Sequence, residues 1–484
     1  MATGSSQLAL PSVLQSRTFK TGDLITTALP YAHIVSMKVN GEYCDWCTMP
    51  PKSDQRLLKC TACSYENYCD KSCQKKAWKY HKFECPLLKA KSPKIPSDSA
   101  RLFTKLVYNF AKQIQPEEDP GWRPFEDVCH HEKSVTGDPV RSKQFMELCF
   151  TLKSYIGQKH ESWLPDSSQL LRIFGRMVFN GFTLTHMSTE IGAALYISPS
   201  VFNHSCTPNA VFVTNGRRLN VRAVTDINTS TDLILVNYTE PMYPRTLRRA
   251  ELLHNYYFTC QCEKCTDDKL NAMFEATLCP SCSGDAIWDT NDDVACTNCE
   301  KKITDDVYKL KCKQAAEKAL KLCTEALKQD NFTEIKQFVR KNDVLSQSNV
   351  FLAMLTANLY AFESQFGKNE VAYELGQRLE AMFAKHYPKY FPAIGQHHFK
   401  QARLAWHMDD FDSAVRHYEL AAKNFLVTHG RDHHIIPMLK DEYAECKGDQ
   451  MMTARFGKFD PNWTEAELNE MRRQVVMGNP QYKL

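Results

Sequence analysis

The heptapeptide Asn203-His204-Ser205-Cys206-Thr207-Pro208-Asn209 lies between two apolar, strand-like runs, Ala194-Leu195-Tyr196-Ile197 and Ala210-Val211-Phe212-Val213. Between strands, Pro208-Asn209 reads as a turn. Asn203 and His204 carry amide and imidazole groups able to hydrogen-bond a ligand. Cys206 brings a soft metal ligand into the same turn. Taken alone, the stretch could be a polar loop with one buried thiol. Downstream, Cys260-x-Cys262-x2-Cys265 offers three of the four ligands a tetrahedral zinc takes. Cys206 is the nearest unassigned cysteine on the N-terminal side. If it completes the set, the cluster is pinned over the Asn203-His204 turn, and two separate signals become one constellation.

A length of 484 residues suggests about three domains. Hydrophobic residues make up 43% of the chain, enough for ordinary packed cores. The net charge is only +4, so any basic partner surface must be local. Met1 to Leu10 has neither the basic start nor the apolar core of a signal peptide. No apolar run is long enough to span a bilayer. The chain is therefore expected to be soluble and intracellular, where thiols stay reduced, and its 20 cysteines point to metal rather than disulfides. Cys129, Cys149, Cys312, Cys323 and Cys446 are scattered and read as packing residues.

Residues 44–85 follow C-x2-C-x12-C-x2-C-x5-C-x3-C-x7-H-x3-C. Eight ligands make two closed tetrahedral zinc sites. Interleaved pairing is expected, with Cys44, Cys47, Cys69 and Cys73 on one ion and Cys60, Cys63, His81 and Cys85 on the other. Cys69-x3-Cys73 and His81-x3-Cys85 each suit two ligands on one helix face. The metal holds together a module too small for its own core, and neither site keeps an open, catalytic position. This spacing resembles that of a MYND finger. Lys71, Lys75, Lys76, Lys79 and Lys82 give its last turns a basic face, either solvated or a docking surface. Cys279-x2-Cys282 and Cys296-x2-Cys299 form a zinc-ribbon pair that looks structural or interaction-mediating.

Between these clusters, Thr18 to Ile25 reads as two strand ends around a Gly turn. Ser92 to Ser97 reads as a linker, and about Ala100 to Phe182 as mostly helical. Gln169 to Phe179 shows apolar residues at helical spacing, and Gln115 to Pro120 breaks the segment. Leu219 to Val224 alternates, and Asp232 to Tyr238 reads as a short buried strand. From about Asp305 to Lys447 helix follows helix, and Phe411 to Ala422 resembles a tetratricopeptide-type pair.

The Asn203-His204-Ser205-Cys206-x-Pro208-Asn209 stretch, Tyr238, and Tyr256-Tyr257-Phe258-Thr259-Cys260-x-Cys262-x2-Cys265 together resemble a SET core and its cysteine-rich post-SET segment. With a MYND finger splitting the N-terminal part, the chain resembles the SET-and-MYND (SMYD) family of protein-lysine methyltransferases from about Thr18 to Cys446. Thr428 to His433 resembles part of that family's C-terminal domain. The resemblance implies an α+β fold with a β-rich SET core split by the finger and a helical insertion, then a post-SET zinc cluster, a zinc ribbon and an all-α tetratricopeptide-like domain. The expected boundaries are 1–43 for the SET N-terminal part, 44–85 for the finger, 86–185 for the helical insertion and 186–243 for the SET core. The post-SET cluster takes 244–266, the ribbon 267–302, the helical domain 303–457 and a tail 458–484. The ribbon is extra relative to the shorter members.

The resemblance implies S-adenosylmethionine as methyl donor and zinc as structural metal. Asn180, Asn203, His204 (partly through its backbone), Tyr238 and Phe258 would contact the cofactor, and Tyr238 and Tyr256 would line the lysine channel as catalytic residues. The implied substrate is a lysine in histones or other proteins, with peptide partners for the finger and helical domain. A monomer with no membrane contact, resident in nucleus and cytoplasm, is expected, and direct nucleic-acid binding is left open. Two departures stand out. Members open with a basic residue and a Gly-x-Gly turn, where this chain has Ala9 to Gln15 upstream of Arg17, and the usual Gly-Glu turn is Asn228 to Asp232. They keep a second reading in view, a SET-MYND adaptor of weak or no activity.

Overall fold

The computed structural model describes residues 10–52, 55–289, 291, 293–325, 332–456, 464 and 466. Most of the expected tail, 458–484, lies outside them. The chain divides into two compact units. The first comprises Met1–Asn203, Phe212–Ile234 and Asn255–Tyr257, and the second holds the remaining segments.

In the first unit, short strands near the N-terminus pair with strands about 160 to 210 residues later. Thr18–Phe19 pairs antiparallel with Ile227–Asn228, and Leu24–Ala28 with Arg218–Ala223 through a bulge at Val221/Arg222. The two strand ends around Gly22 therefore pair elsewhere and not with each other. Ala32–Val35 lies against Thr189–Leu195, which also pairs with Gly181–His186. The last strand starts directly at the end of the helix Ser167–Asn180, ahead of the expected core start at 186.

Helices fill the intervening sequence. Ser97 caps Asp98–Ala111, and Asp166 caps Ser167–Asn180, each side chain accepting an otherwise orphaned N–H. Their apolar faces meet: Leu102, Phe103, Leu106 and Val107 join Ile173 and Phe174 in one buried cluster. Burial of such side chains is worth about 1.5–3 kcal/mol each. Gly175 is a close-approach glycine, since a Cβ there would stand 2.0 Å from the His130 carbonyl oxygen.

In the second unit, four short strands, Thr277–Leu278, Asp285–Trp288, Val294–Cys296 and Lys302–Ile303, form an antiparallel meander carrying the two Cys-x2-Cys knuckles. The Leu278 amide donates to the Val344 carbonyl at 2.7 Å, and Asn349 Nδ2 to the Ala276 carbonyl at 3.0 Å. These bonds tie the ribbon to the helices that follow. Those helices run from Asp306–Glu325 to Ile435–Phe456. Successive members pack on one another, as where Phe399 meets Tyr418 and Phe425. Among the described residues, no helix is long and apolar enough to cross a membrane.

Candidate functional site

The cysteines assemble into four sets. In the finger, Cys44, Cys47, Cys69 and Cys73 form one and Cys60, Cys63, His81 and Cys85 another. Cys47 and Cys69 Sγ are 3.5 Å apart, Cys60 and Cys85 Sγ 3.8 Å, and Cys63 Sγ lies 3.6 Å from His81 Nε2. A tetrahedral zinc with Zn–S near 2.3 Å places two sulfurs about 3.8 Å apart, so the donor sets fit the ion. One expectation is corrected here. Cys69 is not on the helix: Asp70 caps Lys71–Lys91 by accepting from the Cys73 amide at 2.8 Å. Of the two i, i+4 pairs, only His81 and Cys85 share a helical face. The third and fourth sets are Cys206, Cys260, Cys262 and Cys265, and the ribbon's Cys279, Cys282, Cys296 and Cys299. Of the five cysteines read as packing, Cys312, Cys323 and Cys446 are buried, Cys149 half-buried, and Cys129 exposed.

The third set organises the turn. Cys206 Sγ stands 3.5 Å from Cys265 Sγ and 4.0 Å from Cys260 Sγ. Hydrogen bonds with Cys260, Cys262 and Cys265 push the Cys206 thiol far up. The same contacts, that from Cys206 foremost, hold Cys262 far down. Four such thiols cannot all ionise unaided, and a divalent cation replaces the protons they share. Arg248, fully buried, donates from Nη2 to Cys265 Sγ at 3.5 Å and from Nη1 to the Tyr243 carbonyl. Arg249 holds the Cys260 and Cys265 carbonyls at 3.2 and 3.0 Å.

Residues 204–209 are fixed from both sides. The Ser205 amide donates to the Val236 carbonyl at 2.8 Å, and the Asn209 amide to that of Leu235 at 3.1 Å. Asn209 Oδ1 accepts from the Leu235 amide at 2.8 Å. Only Leu235–Val236 of the run 232–238 is strand, and Leu233 is exposed. His204 links metal cluster to tyrosine: its Nδ1 accepts from the Tyr238 backbone N–H at 3.0 Å, and its Nε2 lies 3.3 Å from Cys206 Sγ. That pattern puts the ring proton on Nε2, where it donates to sulfur. Burial pushes His204 down to about 4, so the ring is neutral. Both ring nitrogens are thus engaged by protein, and ligand contact is left to the His204 backbone. Tyr238 and Phe258 flank the imidazole, ring centroids 5.4 and 6.0 Å away.

Asn180, Asn203 and Tyr256 belong to the first unit. Asn180 Nδ2 donates to the Cys129 and Arg176 carbonyls at 2.7 and 3.0 Å, so its carboxamide oxygen is the polar atom that remains for a ligand. Tyr256 ends the helix Arg245–Tyr256. Tyr257, next in the chain, adopts φ +59° and donates to Asp138 Oδ2 at 2.9 Å.

The two sequence departures touch. Where the family has Gly-x-Gly, Ser12–Leu14 forms a 3-10 turn with Leu14 buried. Thr229, in the altered second turn, donates from Oγ1 to the Leu14 carbonyl at 2.6 Å. The same oxygen accepts from the Arg17 amide at 2.8 Å, and the Thr229 amide donates to the Arg17 carbonyl at 2.8 Å.

Sequence reasoning missed Arg248 and Arg249, and read Asn209 as a turn residue without the hydrogen bond it accepts from the Leu235 amide. Arginine is usually a surface residue; a pair of them eleven residues ahead of a cysteine cluster was the only available signal.

The MYND finger family profile matches residues 44–85. Along most of its length the chain is similar to the histone-lysine N-methyltransferase SMYD3 of Homo sapiens, with 28% identity over 432 residues, 88% of this chain and 93% of that protein. It is 26% identical over 429 residues to the N-lysine methyltransferase SMYD2 of Homo sapiens, covering 88% of this chain and 93% of the relative. The N-lysine methyltransferase SMYD2-A of Xenopus laevis is 24% identical over 431 residues, 88% of this chain and 94% of the relative. With a MYND finger at residues 44–85 and similarity to SMYD3 and SMYD2 over 88% of its length, the chain is similar to the SET-and-MYND lysine methyltransferases.

Proposed function

We propose that this chain is an S-adenosylmethionine-dependent protein-lysine methyltransferase acting on histone or non-histone proteins. One observation carries the reading beyond similarity. The Cys206 cluster grips His204 by its Nε2, and His204 grips the backbone of Tyr238 by its Nδ1. A closed structural metal site thereby sets the position of a tyrosine.

When bound, S-adenosylmethionine supplies an electrophilic methyl group on a sulfonium. The residues here suit it: the aromatic faces of Tyr238 and Phe258 tolerate positive charge and stack on flat rings, and a neutral His204 adds no competing cation. A free lysine titrates near ~10.4 and must be neutral to attack. Aromatic walls that exclude water lower that value. In this reading Tyr238 orients the amine through its hydroxyl, while Tyr256 walls the lysine channel. The resemblance assigns donor contacts to the His204 backbone and the Phe258 ring of the second unit and to Asn180 and Asn203 of the first.

Tyr238→Phe keeps the backbone N–H that bonds His204. It is expected to lower transfer of labelled methyl to a lysine-peptide array by about 100-fold or more, with cofactor affinity nearly unchanged. Equal transfer by the variant would remove the hydroxyl from the mechanism.

The packed N-terminal turn favours a second reading. With Leu14 buried and tied to Thr229 where relatives open with glycines, the chain would be an adaptor, binding peptides through the finger and helical domain. Cofactor binding separates the two.

A further inference from the structure

Three successive helices of the second unit, Asn369–His386, Pro392–His407 and Phe411–Thr428, each carry one residue of a cluster that the cysteine sets do not include. A carboxylate oxygen of Glu380 and a ring nitrogen of His398 and of His417 lie within 4.8 Å of one another. We propose that Glu380, His398 and His417 form a further metal site, taking a first-row divalent cation of the zinc class and bracing the three helices together.

The donor set is the first support. Two imidazoles and one carboxylate are a known zinc triad that leaves a fourth position for water, and facing helices are where bundles build such sites. Distance is the second. The Nδ1 atoms of His398 and His417 are 3.1 Å apart, against about 3.3 Å for two nitrogens on a tetrahedral zinc with Zn–N near 2.0–2.1 Å. The third is an unmet polar atom. Glu380 Oε1 is buried without a hydrogen-bond partner. His417 Nε2, 3.6 Å away, is beyond hydrogen-bond range. Such an atom is costly to leave unanswered.

Arg416 is the competitor. Its Nη2 lies 3.1 Å from His417 Nε2 and donates to it, leaving the His417 Nδ1 proton to bridge to His398 Nδ1. This arrangement satisfies the rings but not Glu380. A cation replaces the bridging proton and answers the carboxylate, once Glu380 rotates toward it. Arg416 is exposed and can swing into solvent.

The test is a Co2+ titration of the full-length protein with its thiolate-bound zinc in place, read by visible absorption and elemental analysis. One added equivalent is expected, with weak ligand-field bands, no thiolate-to-cobalt charge-transfer absorption and no zinc displaced. Glu380→Gln and His398→Gln, with folding checked by circular dichroism, are expected to weaken binding by about tenfold or more. Arg416→Gln, which removes no ligand, is expected to tighten it several-fold. Three results would overturn the site: no cobalt uptake, uptake only by displacing thiolate-bound zinc, or affinity unchanged in Glu380→Gln and His398→Gln. Should those two variants misfold, Arg416→Gln decides, tighter binding supporting the site and unchanged binding refuting it.

Discussion

The Cys60, Cys63, His81 and Cys85 set of the finger, in the first unit, and the Cys206 cluster, in the second, each gather sulfur around one metal, yet a carboxylate touches the ligands of one and hydrogen-bond donors those of the other. Behind the finger stand buried carboxylates. Glu66 Oε2 lies 2.8 Å from His81 Nδ1 and accepts the Tyr68 hydroxyl at 2.6 Å. Arg101 and Lys105 bridge Glu66 to Glu84. Behind the Cys206 cluster stand donors, Arg248 on Cys265 and His204 on Cys206. Charge arithmetic accounts for the contrast. Three thiolates and a neutral imidazole around a dication leave one negative charge, whereas four thiolates leave two. The more anionic set recruits a guanidinium and an imidazole N–H. The less anionic one tolerates a carboxylate that orients its histidine. The finger's backing ends within its own buried network, whereas that of the second cluster reaches Tyr238.

If that contrast is right, damage to the second cluster should cost chemistry and damage to the first should cost mainly stability. The largest effect is expected for Cys206→Ser. Structural zinc sites carry an apparent binding energy of about 10–16 kcal/mol, so the variant should lose about one zinc per chain by elemental analysis and methyl transfer with it. Next comes Glu66→Gln, which should weaken zinc in the finger by about 10–100-fold in a chelator competition and leave Cys206-cluster zinc in place. Its acid behaviour sharpens the comparison. Burial alone would raise Glu66 and Glu84, but Lys105 and Arg101, joined by His81 at Glu66, hold both below the ordinary carboxylate value. Depressed folded-state values give stabilisation that is complete above the unfolded value of about 4.3 and is lost as pH falls through the folded ones. Acid unfolding of Glu66→Gln should therefore be shallower than wild type below about pH 4. The smallest effect is expected for Thr229→Val, which removes the hydroxyl between Leu14 and Arg17 without touching either metal region. It should cost about 1–2 kcal/mol in denaturant unfolding and leave zinc content unchanged.

The cysteine spacing made both regions legible, because metal ligands of fixed type at fixed separation have few other uses. Their backing was not legible. Arg101 and Arg248 belong to a type that is almost always exposed, and only the fold reveals that they are buried. The key strands also escape pattern reading: Thr18–Phe19, Asn203–His204 and Leu235–Val236 are two residues long, too short for alternation to show. The run 232–238 looked like a longer strand because it is apolar, but the Asn209 side chain takes the Leu235 amide and limits the pairing. Cys69 was placed on a helix by spacing alone, and the Asp70 cap starts that helix beyond it. The Glu380, His398 and His417 cluster spans 38 residues with no repeating interval, so nothing in the sequence joins its members.

Calorimetric titration of S-adenosylmethionine into the wild-type protein and Cys206→Ser tests most directly whether the second cluster holds the His204 turn proposed to bind the donor. Saturable heat in the wild type and none in the variant, with finger zinc retained in both, is the expected result. Equal binding by the two proteins, or no heat from the wild type at millimolar cofactor, would contradict it.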